Sequence, residues 1–380
     1  MPLDEILAAR REKLEKLKKS GADPYPAKSW RTHTISDVLE DFDALLEDKK
    51  LLVLAGRILA IRGHGGSTFL NIDDGSGSLQ VYLKKDVIGD REYDFFIQTV
   101  DIGDFIEVSG TPFLTKKSER TLQGEKYRLL TKSLLPLPEK WHGLQDVEDR
   151  FRKRYLDLIF NPEVKEKFLM RFKIIDLVRQ FFRDNKYLEV ETPMLQPTPG
   201  GATARPFKTH MNVLDIDLYL RVAPELYLKR LLIGGLERVF EIGKNFRNEG
   251  MDKEHNPEFT MLEAYAAYQD YEWLMKLTEN LFDFLVMHIF GQTSIQYEGK
   301  TINFKKPFAR MEFNDVIKKY AGLDYEDADL DDFRHKAEEL GIKIEKTMTK
   351  GVIADEIFKK VARPEMIDPY VANFNAKKDL

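Results

Sequence analysis

Hydrophobic and polar residues alternate over most of residues 51–135. LLVLAGRILAIR, STFLNIDD, SLQVYLKK, FIEVSGTPFL and KYRLLTKSLL are short runs, and each predicts a strand. Turn chemistry such as Asp73-Asp74-Gly75-Ser76-Gly77 separates them. Five short strands in this length predict a small closed barrel of the OB type. Side chains two apart share a strand face. Leu70 and Ile72 therefore point one way, and Phe69 and Asn71 the other. On the next run Leu79, Val81 and Leu83 oppose Gln80 and Tyr82. An outer face carrying Phe69, Gln80 and Tyr82 can stack on and hydrogen-bond unpaired bases. The same set fits a second, smaller core under a loop.

Helical spacing governs other stretches. Leu3, Ile6, Leu7, Leu14 and Leu17 form a stripe over 3–19, and Gly21 and Pro24 stop that helix. Val164, Phe168, Phe172, Ile175, Val178 and Phe182 predict a long amphipathic helix over about 163–184. YLEVETPML then reads as a strand ended by Pro193. Next come a strand at LDIDLYLRVA, a helix at PELYLKRLLIGG, strands at RVFEIGKNFRNE and EFTMLEAYAAY, and a helix over 271–290. Helices and strands without strict alternation predict an α+β domain around an antiparallel sheet. Residues 305–365 are mostly helical patterns rich in charge, such as DLDDFRHKAEELG. The pattern divides the chain into a basic helical arm (1–50), the barrel (51–140), the α+β domain (141–304) and a helical end (305–380).

A chain of 380 residues suits two or three domains, and 43% hydrophobic residues predict a packed core. A net charge of -5 does not advertise nucleic-acid binding, yet it leaves room for local basic runs. RFRKRY (150–155) is one. Another is the 3–19 helix, where Arg10, Arg11, Lys13, Lys16, Lys18 and Lys19 oppose only Glu12 and Glu15. That helix reads as a solvated face or as an arm touching phosphates. The absence of cysteine excludes disulfides and cysteine metal sites and points to a reducing compartment. The N-terminus lacks the apolar segment of a signal peptide. Apolar stretches such as 281–290 are too short to span a bilayer, so a cytoplasmic protein with no membrane partner is expected.

The densest chemistry lies in NFRNEGMDKEHNPEFTMLEAY (245–265). Two strands joined by a polar loop with Gly250 and Asn256-Pro257 predict a hairpin. Alternation puts Glu241, Gly243, Asn245, Arg247 and Glu249 on one side of the first strand. It puts Phe259, Met261, Glu263 and Tyr265 on one side of the second. Such a face is costly to bury as core and unlike a plain solvated one. It suits a nucleotide plus a cationic small molecule. Arg247 can hold a phosphate, Phe259 can stack on a base, Glu263 can pair with an ammonium, and His255 can reach an outlying phosphate. A surface sheet with a salt-bridge ladder fits the same residues.

FRNEG…HNPEFTMLEAY resembles motif 2 of the class II aminoacyl-tRNA synthetases, and the helix and strand ending in NKYLEVETPML resemble motif 1, with Pro193 as its hallmark. The barrel matches the subgroup containing the lysine, aspartate and asparagine enzymes. Residues 198–249 resemble the lysyl-tRNA synthetases closely. So do LLTKSLLPLPEKWHGLQDVEDRFRKRYLDLI and the basic helix ending in GADPYP. The resemblance implies an OB-type anticodon-binding domain followed by a class II antiparallel-sheet catalytic domain. It implies ATP, Mg²⁺, L-lysine and tRNA(Lys) as ligands, and a homodimer through motif 1. It places Gly201 and Glu225 at the amino-acid site, with Glu225 on the α-ammonium. Arg247 would bind the α-phosphate and substrate carboxylate and carry the catalytic role. Glu249 and His255 would contact ATP, Phe259 would stack on adenine, and Glu263 and Tyr265 would meet the ε-ammonium. Phe69 and Gln80 would read an anticodon base.

The chain departs from the family pattern after residue 300. The Gly-rich motif 3 with its arginine is missing; Gly322, Gly341 and Gly351 begin no such element. The late acidic strand is missing too, so the metal ligands are expected beyond Leu380. The expectation is a catalytic domain incomplete at its C-terminus and inactive alone. The alternative is a non-catalytic tRNA-binding or scaffold paralogue of the same fold.

Overall fold

A computed structural model describes residues 2–138, 144, 146–252 and 255–373. The chain divides into two compact units, Met1–Lys165 and Glu166–Leu380.

The first unit is built on five strands: β1 (Leu52–His64), β2 (Ser67–Asp73), β3 (Ser78–Lys84), β4 (Phe105–Leu114) and β5 (Arg120–Thr131). They close into a barrel in the order β1-β2-β3-β5-β4, with β3 and β5 parallel. Alternation decides what faces inward. Leu70, Ile72, Leu79, Val81 and Leu83 are buried together with Leu54, Ile106, Val108 and Leu122. The last strand differs from its reading. It starts at Arg120, six residues before the apolar run KYRLL, because its first half pairs with β3 (Gln80 opposite Thr121, Tyr82 opposite Gln123). Closure of the barrel recruits that polar segment, and local hydrophobicity does not mark it. The helix Asp90–Thr99 between β3 and β4 is also absent from the alternation pattern. It buries Tyr93, Phe96 and Thr99, spaced three apart.

The N-terminal helix Leu3–Lys19 forms as its stripe predicts. Two of its basic residues fit neither a solvated face nor a phosphate-binding one. Arg10 is buried and donates to the carbonyls of Ile102, Ser133 and Leu135 at 2.9–3.1 Å. Lys13 pairs with Asp101 at 2.6 Å. Beside them the Lys132 ammonium is fully buried, held by Asp104 at 2.7 Å, Asp101 at 2.5 Å and the Thr99 carbonyl at 2.8 Å.

The second unit holds all but the first turn of the long helix Pro162–Asp184, and the helix Tyr271–Phe290. Phe181, Phe182, Tyr187, Phe240 and Leu277 form their shared core. The stripe on the first helix is buried at its ends, at Val164 and Phe182, while Phe172 in the middle is 56% exposed. YLEVETPML is two short strands, β6 (Leu188–Glu189) and β7 (Leu195–Gln196). A three-stranded sheet runs β11-β10-β6, with β10 (Arg238–Phe246) and β11 (Glu258–Ala266) antiparallel and β6 parallel to β10. A second sheet runs β7-β9-β8, from β8 (Lys208–Met211) and β9 (Ile216–Leu220). Residues 313–361 supply three helices around Phe313, Ile317, Phe333, Ala337, Ile353 and Ile357. Ala309–Glu312 pairs in parallel with Tyr370–Asn373. Among the described residues no helix is long and apolar enough to cross a membrane.

The buried Lys132 cluster makes a direct prediction. Lys132→Met leaves the Asp104 carboxylate in the barrel wall without its cation. The cost should be about 3–5 kcal/mol, the size expected when one partner of a buried pair is removed. Chemical denaturation of the chain measures it. A loss below about 1 kcal/mol would show that the cluster behaves as a surface pair.

Candidate active site

The β10–β11 register sets the site. Val239 lies opposite Tyr265, Glu241 opposite Glu263, Gly243 opposite Met261 and Asn245 opposite Phe259. The two series read from alternation therefore meet on one sheet face, residue against residue. β10 ends at Phe246, so Arg247 and Glu249 lie past it. Arg247 still extends the pairing, its amide donating to the Pro257 carbonyl at 2.9 Å. The Arg247 guanidinium stands 5.2 Å from the Phe259 ring centroid, a cation–π contact. Its Nε is buried without a hydrogen-bond partner.

The loop before β8 is tied to this end of the hairpin. Asn248 donates its amide to the Arg205 carbonyl at 2.8 Å, and the Arg205 amide meets Glu249 at 3.3 Å. Gly201 has φ +88°, a conformation that favours glycine. A Cβ there would lie 2.9 Å from the Glu225 Cβ and 3.1 Å from the Ala223 Cβ. Gly201 thus packs against the first turn of the helix Glu225–Ile233. Glu225 opens that helix and pairs with Lys229, one turn on, at 2.5 Å.

Glu263 and Tyr265 form the acidic end of the face. The Tyr265 hydroxyl donates to Glu263 at 3.2 Å. Burial pushes the Glu263 carboxyl above its usual range, and the neighbouring Glu225 and Glu241 add to this against the Tyr265 hydrogen bond and the Arg221 charge. Burial, with the charges of Glu263 and Glu225, pushes the Tyr265 phenol up as well. Glu241 and Glu225 each have a cation of their own, in Arg221 and Lys229, so Glu263 is the carboxylate here open to a further cation.

Alternation missed one component. Arg221, just past β9, is fully buried and pairs with Glu241 at 2.5 Å. The signal was present: an arginine between Leu220 and Val222, within an apolar run. Three polar atoms in this region, Arg221 Nη2, Asn245 Oδ1 and Arg247 Nε, are buried without partners. Unpaired buried polar groups are uncommon and mark places where a ligand or water completes the bonding.

His255 does not join the cluster. Its ring bonds Asp252 in the same loop at 2.8 Å, and 71% of its side chain is exposed.

On the barrel, Phe69 and Tyr82 pair across β2 and β3, with ring centroids 4.6 Å apart. Phe113 on β4 lies 6.0 Å from Tyr82 and extends the row. The sequence pattern gave no sign of Phe113, because the row depends on barrel closure. The Gln80 side-chain oxygen accepts from the Thr121 hydroxyl at 3.0 Å, which fixes the amide plane on the same face.

Known protein families match the chain over most of its length. Residues 146–354 match the family described as tRNA synthetases class II (D, K and N), and residues 52–130 match an OB-fold nucleic acid binding domain. The chain is 48% identical over 370 residues to a lysine–tRNA ligase of Pelotomaculum thermopropionicum, covering 97% of this chain and 72% of that protein. It is 47% identical over 368 residues to the lysine–tRNA ligase of Carboxydothermus hydrogenoformans, covering 97% and 75%. To that of Halalkalibacterium halodurans it is 45% identical over 373 residues, covering 97% and 74%. With an OB-fold barrel, a class II domain and this identity along nearly its whole length, the chain belongs to the lysine–tRNA ligase family of class II aminoacyl-tRNA synthetases.

Proposed function

We propose that the β10–β11 face binds ATP and L-lysine for lysyl-adenylate formation, and that the Phe69–Gln80 face reads the anticodon of tRNA(Lys). One observation carries the first part. Glu263, half-buried on the same sheet face as Phe259, is the carboxylate of this group without a salt-bridge partner among the described residues: Arg221 pairs with Glu241 opposite it, and Lys229 pairs with Glu225. An acidic slot next to a phosphate-and-base clamp fits a diamine amino acid and a nucleotide.

The chemistry needs no protein nucleophile. A lysine carboxylate oxygen attacks the α-phosphorus of ATP. The bond to the bridging oxygen breaks, and pyrophosphate leaves with its electron pair. The terminal ribose hydroxyl of tRNA then attacks the lysyl carbonyl, the bond from that carbon to the phosphate oxygen breaks, and AMP leaves with the electron pair while its phosphate takes up the hydroxyl proton. Arg247 neutralises charge at the α-phosphate and aligns the carboxylate, and Phe259 stacks on adenine. Glu249 contacts ATP, and His255 reaches an outlying phosphate only by leaving Asp252. Gly201 and Glu225 hold the α-ammonium end, and Glu263 with Tyr265 takes the ε-ammonium. Pairing that ammonium with a buried carboxylate rejects uncharged side chains. Among the described residues no group of three His, Asp or Glu side chains could hold a metal ion.

Dimerisation is part of the proposal. Leu169, Phe172 and Leu188 are more than half exposed on the motif 1 helix and strand. Their apolar surface suits a second copy of the chain, in the cytoplasm where tRNA is charged. A one-chain mass in light scattering would contradict this.

Glu263→Gln should lower the specificity constant for lysine by about 100-fold, the scale for losing a buried charge partner. The KM for ATP should move by no more than about threefold. Lysine-dependent pyrophosphate exchange, with ATP and lysine varied separately, reads both; an unchanged constant for lysine would remove Glu263 from the ammonium site. Lysine affinity should also depend on pH. The substrate ammonium stays charged, whereas Glu263 takes a proton above the usual carboxylate range. Calorimetric affinity should therefore be full near neutrality and fall on acidification, earlier than an ordinary glutamate would make it fall.

Phe69→Ala should weaken tRNA binding by about 1–3 kcal/mol, the contribution of one stacked base. Filter binding at fixed salt measures it, and lysine activation should not change. Equal binding by the variant would move anticodon reading off this face.

A further inference from the structure

We propose that Arg221 is a positioning residue of the ammonium pocket: its guanidinium occupies the space over Gly243 and cancels Glu241, leaving Glu263 as the carboxylate that meets the substrate cation. The inference deepens the lysine reading above and rests on it for the identity of the cation.

The geometry is restrictive. Arg221 Nη1 donates to Glu241 at 2.5 Å, to the Thr192 hydroxyl at 3.0 Å and to the Thr192 carbonyl at 3.2 Å. Its Nε donates to the Lys244 carbonyl at 2.9 Å. The Thr192 hydroxyl donates in turn to the other Glu241 oxygen at 2.7 Å. A Cβ on residue 243 would stand 2.1 Å from Arg221 Nη2 and 3.2 Å from Glu241 Oε1. The guanidinium therefore fills the place that any side chain at 243 would take, on the same sheet face as Glu241 and opposite Met261. Guanidinium is planar, permanently charged and weakly hydrated, which suits a buried fixed cation where lysine would not serve.

The charges around Glu263 come from four places. Tyr265 shares its strand, and Glu241 stands opposite on β10. Glu225, paired with Lys229, comes from the helix Glu225–Ile233, and Arg221 comes from the end of β9. Glu241 opposes ionisation of Glu263 and Arg221 favours it. With both present, the two effects oppose each other.

The test is the titration of the Glu263 carboxyl by NMR, in protein carrying ¹³C-labelled glutamate. Its resonance is assigned by its loss in Glu263→Gln. Glu241→Gln keeps the shape of its partner and leaves the Arg221 charge uncancelled. Glu263 should then titrate lower by about one pH unit, the lower end for a charge a few ångströms away. Arg221→Met/Glu241→Gln removes both charges without orphaning either, and Glu263 should titrate close to its native midpoint. An unchanged midpoint in Glu241→Gln overturns the proposal. So does a double variant that titrates like Glu241→Gln, because the shift would then owe nothing to Arg221. Gly243→Ala, which forces the guanidinium aside, should raise the midpoint; no rise also counts against the proposal. Adding L-lysine to the native protein separates the two readings. A Glu263 resonance indifferent to lysine overturns the substrate assignment while leaving the charge coupling intact.

Discussion

The Arg221–Glu241 pair is the constraint on which the catalytic unit turns. Both groups are almost wholly withdrawn from water. Taking two charges out of water costs several kcal/mol each, and their attraction offsets this only when the remaining hydrogen bonds are made. Here most are. Thr192 bridges both partners, and the Lys244 carbonyl takes Nε. The Arg221 backbone joins in: its amide donates to the Met194 carbonyl, and its own carbonyl accepts from the Phe246 amide. One residue therefore ties the segment after β6 and the end of β9 to the end of β10. A buried pair of this kind adds little net stability over apolar side chains of similar volume. Its weight lies in geometry and charge. The Arg221 carbonyl also holds the Phe246 amide, one residue before Arg247.

The same residue explains why one long strand was expected and two short ones form. In YLEVETPML the apolar alternation is real, and β6 pairs where it begins. Val190 still donates to the Phe240 carbonyl, but the ladder stops there. Beyond it Pro193 has no amide to give, and Arg221 takes the Thr192 and Met194 carbonyls. A residue about thirty positions away thus replaces local pairing with long-range bonds, which alternation within nine residues cannot reveal.

What the sequence made legible follows from periodicity. The hairpin face was readable because a period of two leaves no freedom once the turn is fixed. Glu241 against Glu263 and Asn245 against Phe259 follow from the register. The barrel's inner and outer sets were readable for the same reason. Residues whose place depends on closure or on a distant partner were not. Phe113 joins the aromatic row, and Thr121 reaches Gln80, because the barrel brings β4 and β5 round. Arg10 turns inward because the carbonyls of Ile102, Ser133 and Leu135 lie within its reach. His255 bonds Asp252, three residues before it in the loop, a contact that strand alternation does not address.

Charge ties the two units to one logic. A protein that binds RNA with a net charge of -5 cannot rely on its overall field. Several cations of the first unit are also committed internally. Lys132 is buried on Asp101 and Asp104, and Arg128 is paired with Glu107 and stands over Trp30 at 3.7 Å. Arg57 stands over Phe105 at 4.2 Å. What the barrel offers is the row of Phe69, Tyr82 and Phe113 with an anchored Gln80. Stacking and hydrogen bonding there depend far less on salt than phosphate contacts do. The catalytic unit makes the opposite choice. The half-buried Glu263 stands opposite Glu241, which the buried Arg221 guanidinium neutralises, while Lys229 pairs with Glu225. Under the proposed assignment, the stacking face selects by base shape and the acidic pocket by substrate charge, so the two sites draw on different forces.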